Sequence, residues 1–554
     1  MVNQDKFIIM KRKNYFYLLF ALLFIMQSCE EYLAEELVSD VSAGTYYTTE
    51  AGLEDAVDAT YSLLKGFYGP ERGFTMTTFG TDIFTNGSDG GHKRVNFYDQ
   101  SFDASHGMTN DVWRDWYRGV NQANAVLARG SEVEMDETQK TIWLAETRWL
   151  RAFYYYDIVR TFGDAHLSLE ETEGIEVEAN RTSASEIYTQ AIIPDLEFAI
   201  ANLPNPGDTK YGRTHKAAAE FLLGKVLLRR SYTSYAGAND ATRAETLFSN
   251  VINNYGFALL DDYADLWDID NQENSEIVWN LTIAKALVDE GIDGEGHRGH
   301  LYFLMEYDVR RGMTRDITNG RPWKRFRPTA FLLGLWDRGI DTRYDKGFKH
   351  VWFANKEVSD ERGNLMIGDT AVYIPGPGLD IEWPQSRKDA APYEVYTSED
   401  YTERVFPSMN KWIDPTRPDR QKTQGQRDVV LMRLADAYLL RAEARLKEGN
   451  ASGAADDINV VRERAAVDGM EMAMQVTGAD VDLDFLLDER AREMFGEHAR
   501  WWDLTRTGKL VERVRMHNVE GGPNIQDYHA VRPIPQDQID RTVGGYPQNP
   551  GYPQ

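Results

Sequence analysis

A single cysteine, Cys29, stands in 554 residues. No intramolecular disulfide can form, so a chain of this size must hold its fold by core burial alone, which its length permits. Long hydrophobic runs are also missing. The one apolar stretch, Asn14 to Met26, falls short of the roughly 20 residues that span a bilayer. Positive charge is scarce, with 61 Lys and Arg against 88 Asp and Glu and a formal charge of −27. Such a surface repels phosphate backbones and offers no broad basic face to anionic lipid, which excludes nucleic acid as a partner and argues against peripheral lipid binding. Catalytic strings are absent too: there is no nucleophile-elbow sequence and no H-E-x-x-H zinc pattern. Carboxylate pairs cleave glycosides, yet no pair stands out among so many acids. The expectation is a binding protein and not an enzyme.

The N-terminus is more informative. Lys11-Arg12-Lys13 precede the apolar stretch, and Gln27-Ser28-Cys29-Glu30-Glu31 follow it. A basic start, a short greasy run and a small residue before the cut describe a secretory signal over 1–28. Cys29 at that cut resembles a bacterial lipoprotein processing site, so lipidation at Cys29 is expected. Met10 is an alternative start that would give a more ordinary signal than Met1. Removing 1–28 takes away four basic residues and one acid, so the mature chain is more negative still.

Helical periodicity dominates the rest. Helices are expected from near Asp111 to Ala128, Thr138 to Phe162, Ser183 to Asn202, Lys216 to Ser231, Asp240 to Asn254, Val429 to Leu446, Ser452 to Ala465 and Leu483 to Leu504. Gly163 suits a helix end, and Ser183 with Glu186 forms a capping-box pattern. Helices of 15 to 20 residues in antiparallel pairs suggest tetratricopeptide-like units, whose period is about 34 residues. The fold class is therefore mainly α. Residues 29–50 read as a tether, 51–260 as an N-terminal helical part, 261–426 as a loop-rich region with short strands or helices, and 427–554 as a C-terminal helical part. Loops of that length are functional or disordered, and their aromatic density (Tyr302, Phe303, Tyr307, Trp323, Phe326) argues against disorder.

Two local patterns carry less. Gly294-x-Gly296-x-x-Gly299 matches a dinucleotide-binding string but lacks the strand before it and the amphipathic helix after it. Asp261, Asp262, Asp265, Asp268 and Asp270 form an acidic cluster without the glycine that a hand-shaped calcium loop needs at its sixth position. No cofactor is expected; calcium at an irregular loop is the one metal the sequence leaves open. His92, His106, His297 and His300 lie in loops, where histidine more often hydrogen-bonds than catalyses.

Several strings together resemble the SusD/RagB family of nutrient-binding outer-membrane lipoproteins: Arg148-Trp149-Leu150-Arg151-Ala152-Phe153-Tyr154-Tyr155 with Phe162-Gly163-Asp164; Tyr211-Gly212-Arg213 before Ala217; Asp428 to Asp436; Ile458-Asn459-x-Val461-Arg462; Glu489 to Met494 with Gly496 to Leu504; and Pro533-Ile534-Pro535 with Gln548-Asn549-Pro550-Gly551. They run in the family's order over nearly the whole mature chain. Glu30-Glu31 after the cysteine also looks like the acidic signal that sends such lipoproteins to the cell surface. The resemblance implies one domain over 29–554, four tetratricopeptide-like helix pairs with loops packed on them, lipid anchoring in the outer membrane at the cell surface, and a SusC-like TonB-dependent transporter as partner. It also implies binding of oligosaccharide without cleavage. An alternative within the same uptake system is a peptide or protein ligand.

Two loop runs combine rings with polar groups, and in the family these parts converge on the ligand. Asp82, Asn86, His92 and Tyr98 come from the first; His300, Tyr302, Arg321, Trp323 and Lys324 come from the second. Trp323 is the expected stacking platform, since sugar C–H faces suit a flat apolar ring. Asp82 and Arg321 are the expected hydroxyl partners. Trp113, Trp116, Trp149, Trp501 and Trp502 lie in helical patterns and are expected in the core.

Overall fold

The computed structural model describes residues 48–553 apart from 173, 175, 284 and 286–295. The signal segment, Cys29, nearly all of the tether and the start of the glycine string lie outside the described residues.

Helices build the scaffold. Helix α1 (Glu50–Ser62) starts at Thr49, whose hydroxyl accepts from Gly52 N at 3.1 Å. The long pair α2 (Gly107–Gly130) and α3 (Glu137–Phe162) packs along its length. The pair approaches closely because Gly119 faces the Tyr154 ring, where an added Cβ would lie 2.4 Å from the ring carbon. From Ala145 onward nearly every residue of α3 is buried, Trp149, Phe153 and Tyr154 included, as befits a helix surrounded on all sides. Gly163 ends it at φ +76°, with its N–H bonded to Val159 O.

Next come α4 (Ile193–Asn202), α5 (Lys216–Arg230) and α6 (Asp240–Asn254). The expected 183–202 helix is interrupted. A capped turn at Ala184–Ile187 keeps the Ser183–Glu186 box, then Tyr188–Ile192 loosens into a π-turn. Pro194 explains this, because it lacks an N–H and its ring crowds the preceding turn.

The chain leaves the scaffold after α6 and returns at α7 (Leu434–Lys447), which packs directly on α6 across the intervening loops. Then follow α8 (Ala451–Ala465), α9 (Leu483–Met494), α10 (Arg500–Arg506) and α11 (Leu510–His517). Two expectations need correction here. Val429–Arg433 is a strand, not the first turn of a helix; it pairs antiparallel with Ile277–Leu281, where its two valines suit an extended backbone. The 483–504 stretch is two helices, separated at Gly496, whose φ of +74° no helix admits.

Four strands matter below: β1 (Phe84–Asn86), β2 (Ile277–Leu281), β3 (Phe326–Pro328) and β4 (Val429–Arg433). The largest core lies among the helices, and the tryptophans expected there are buried. A second core joins the loop region to the C-terminal helices through Phe74, Phe84, Tyr302, Phe326, Trp412 and Phe495. Among the described residues no helix is long and apolar enough to cross a membrane.

The loop region is tied to the helices by buried ions. Arg433 reaches Glu276 (3.0 Å), Glu493 (2.7 Å) and Glu497 (2.9 Å). Arg343 reaches Asp341 (2.7 Å), Glu489 (2.8 Å) and Glu493 (3.0 Å), and Arg464 bridges Glu276 and Glu493. Burial alone would raise the Glu489 carboxyl, but Arg343, Arg492 and Arg462 more than offset it and hold it at about 2. Asp503 is likewise held at about 2, where Arg490 and Arg506 overcome the effect of burial.

Two outcomes follow. Arg433→Met removes a cation shared by Glu276, Glu493 and Glu497, leaves Arg464, Arg343 and Lys411 to hold them, and lowers the unfolding free energy by about 3 kcal/mol; a loss below about 1 kcal/mol in urea denaturation would contradict the network's role. Because the folded-state values of Glu489 and Asp503 lie below the unfolded values of about 4, their stabilisation is complete above that pH and is lost as pH falls toward 2. Melting temperature is therefore expected to drop across that acid range, and a level profile would refute the coupling.

Candidate ligand-binding site

The two predicted loop runs do meet. β1 pairs antiparallel with β3 in the register Phe84↔Pro328, Thr85↔Arg327, Asn86↔Phe326. The contact continues beyond the strands: Gly87 N donates to Arg325 O at 2.9 Å and Asp89 N to Lys324 O at 3.3 Å. Only glycine fits at 87, because a Cβ there would sit 2.1 Å from Lys324 O. Lys324 itself takes φ +47°, a left-handed turn that a non-glycine residue seldom adopts.

That turn presents Trp323. Its backbone N–H donates to Leu301 O at 2.8 Å, and its half-buried ring tilts against Tyr302 with centroids 6.1 Å apart. The guanidinium carbons of Arg325 and Arg321 lie 4.9 and 5.8 Å from the ring centroid. Its indole N–H has no protein partner among the described residues. Around it, Lys324 Nζ pairs with Glu306 (3.2 Å) and Asp89 (3.9 Å), Arg404 with Glu306 (2.8 Å), and Arg325 with Glu71 (3.1 Å) and Asp89 (3.6 Å). Arg321 Nη1 donates to Gln421 O at 2.6 Å.

Three of the nine expected residues, Arg321, Trp323 and Lys324, lie together at this surface. The other six are buried. Asp82 is fully enclosed and shared between Arg500 (2.5 Å) and Arg513 (2.8 Å). Burial would raise its carboxyl, but the two guanidiniums more than offset this and keep it ionised. It pins the 78–98 loop to α10 and α11 and has no oxygen left for a solute. Asn86 is buried within β1. His92 lies between the rings of Phe79 and Phe326, with Nδ1 2.5 Å from Glu71. Tyr98 donates to Gly80 O at 2.6 Å. His300 bonds Thr423 O at 2.9 Å, and burial pushes its ring down to about 3. Tyr302 is buried beneath Trp323. The sequence offered no signal for Glu71, Glu306, Arg404 or Gln421, which arrive from distant segments.

Two carboxyls near the Trp323 surface are held ionised by their neighbours. Burial raises both Glu71 and Glu306, but His92 and Arg325 outweigh it at the first, and Arg404 and Lys324 at the second. Both carboxyls are held below their ordinary range, whereas a glycosidase needs one acid raised. Among the described residues no cluster of three or more His, Cys, Asp or Glu could hold a metal ion. Of the glycine string, the described part runs into a single 3₁₀ turn at Gly299–Leu301.

Residues 385–552 match the SusD family and residues 36–228 match the family described as starch-binding associating with outer membrane. The chain belongs to the SusD/RagB family. Curated members resemble this family chain along its length. SusD-like protein P25 of Formosa agariphila is 27% identical, with 95% of this chain and 98% of that one aligned. The starch-binding protein SusD of Bacteroides thetaiotaomicron is 28% identical over 74% and 72%. Among solved structures, a laminarin-binding SusD-like protein superposes with TM-score 0.69 at 24% identity, covering 91% of this chain and all of that one. NanU of Bacteroides fragilis superposes at 0.71 with 21% identity over 93% and 100%. These superpositions establish the mainly α, SusD-like fold.

The placement of Asp82 and Trp323 separates two roles. Asp82→Asn leaves two buried guanidiniums short of charge and is expected to cost about 3–5 kcal/mol of stability. Trp323→Ala removes a half-exposed ring and is expected to cost about 1 kcal/mol or less. Paired denaturation curves in which the two lose equal stability would contradict this assignment.

Proposed function

We propose that this chain is a cell-surface lipoprotein, anchored through lipid on Cys29, that captures an oligosaccharide at the Trp323 face and delivers it to a SusC-like TonB-dependent outer-membrane transporter without cleaving it. The observation that carries this reading is the Trp323 ring itself. It is held by backbone and aromatic contacts, its indole N–H has no protein partner among the described residues, and it is ringed by Lys324, Arg325, Arg321, Glu306 and Asp89. An aromatic plate with a polar border suits a sugar, whose faces are apolar and whose rim is hydroxylated. The lipoprotein signal and the family's outer-membrane association support the location. Loading a transporter requires release as well as capture, which favours affinities of about −8 to −4 kcal/mol, micromolar to millimolar.

A peptide- or protein-binding role rests on a different feature. A cleft of about 840 Å³ opens along α2, lined by Trp113, Tyr117, Asn121, His166, Gln538 and Arg541, and it does not include Trp323.

Affinity gel electrophoresis of the mature chain against a polysaccharide panel separates the readings. Retardation by one glycan, weakened about tenfold or more by Trp323→Ala (about 1.4 kcal/mol), is the expected result. Retardation that Trp323→Ala leaves intact would remove the site, and peptide binding lost on altering Trp113 or Tyr117 would favour the α2 cleft.

A further inference from the structure

The cations near Trp323 are not equivalent. Lys324, Arg325, Arg310, Arg311, Arg315 and Arg404 each reach a carboxylate: Glu306, Glu71, Glu306, Asp360, Asp308 and Glu306 respectively. Arg321 reaches none among the described residues. Its side chain makes one hydrogen bond, to the Gln421 carbonyl at 2.6 Å, and its enclosed Nε has no partner. Its charged neighbour is another guanidinium. Arg315 bonds the side chain of the same Gln421 at 3.5 Å, and burial together with the Arg315 charge lowers the affinity of Arg321 for its proton.

The turn that Arg321 grips adds to this excess. Arg420 and Lys422 have no ion-pair partner among the described residues, and Arg417 donates only to the carbonyls of Lys422, Ile317, Asp316 and Asp414. The nearby acids are already engaged. Asp419 accepts from the amides of Gln421 (2.6 Å) and Lys422 (3.0 Å) and shares its charge with Arg417 and Lys422, Asp414 also faces Arg417, Asp308 pairs with Arg315, and Asp316 accepts from Asn319 and Asn355, so none of these acids pairs with Arg321. In a chain of net charge −27, a guanidinium beside an aromatic plate with no ion-pair partner among the described residues is a local exception.

A guanidinium presents a planar fork of donors that matches a carboxylate or sulfate, whereas neutral hydroxyls do not need its full charge. We propose that the ligand is an anionic saccharide, with a carboxylate or sulfate on Arg321 and its sugar ring on Trp323. This rests on the reading of Trp323 as the sugar platform. Lys422 and Arg420 add long-range attraction that salt screens.

The test uses the mature chain, with polygalacturonate and a sulfated galactan as anionic probes and laminarin and starch as neutral ones, each at low and high salt. Tighter binding of one anionic probe, weakened by salt and by about tenfold in Arg321→Gln, is expected. Which anionic probe binds distinguishes carboxylate from sulfate. Arg321→Lys, which keeps the charge and loses the fork, is expected between wild type and Arg321→Gln, and unchanged melting temperatures would show that the Gln421 turn is intact. A neutral glycan bound more tightly than both anionic ones, with Trp323→Ala still damaging, would overturn this inference and leave the platform standing. Glycan binding insensitive to Trp323→Ala would remove both.

Discussion

The loop face that carries Trp323 depends on charge buried between that face and the helices. Arg433 stands at the centre, on the strand that closes the loop excursion, and it gathers Glu276, just before β2, with Glu493 at the end of α9 and Glu497 just beyond it. Arg343 and Lys411, both from the loops, join the same acids. Asp82 does the equivalent work for the first loop by holding Arg500 and Arg513. Such groups are costly to bury singly and strongly destabilising to break, so they fix geometry more than they add net stability. Long irregular segments thereby gain the definition that a single well-placed ring requires.

The consequence is a division of labour. Helix pairs supply a large apolar core, and the ion network transmits its rigidity to segments with little regular structure. At the surface the rules relax: Trp323 is half-buried, Lys324 is in a left-handed turn, and Arg321 is without an acid among the described residues. The residues proposed to meet the ligand are ones whose local chemistry is left incomplete.

Much of the scaffold was legible in the sequence, because helical periodicity is local. The 240–254 helix, the Gly163 stop and the Ser183 capping box match the structure directly. The strand at 429–433 was not, since Leu431, Met432 and Leu434 also fit a helix and only pairing with β2 decides. The strings that marked the family contain Arg433, Glu489, Glu493, Glu497 and Arg500, yet nothing local says that they pair, because their partners lie far along the chain. Asp82 shows the same limit. A carboxylate in a glycine- and aromatic-rich loop reads alike whether it faces water or two buried arginines 418 and 431 residues away. Trp323, Arg321 and Lys324 were legible as neighbours in sequence; their setting, from Glu71 to Gln421, was not.

The central claim is that a rigid loop face, held by buried ions, carries the ligand on Trp323. Hydrogen exchange of the mature chain with and without a bound polysaccharide tests it most directly. The account predicts added protection confined to residues 301–306, 321–326 and 417–424, with the α2 helix unchanged. Protection concentrated along α2, with the Trp323 segment unaffected, would contradict it.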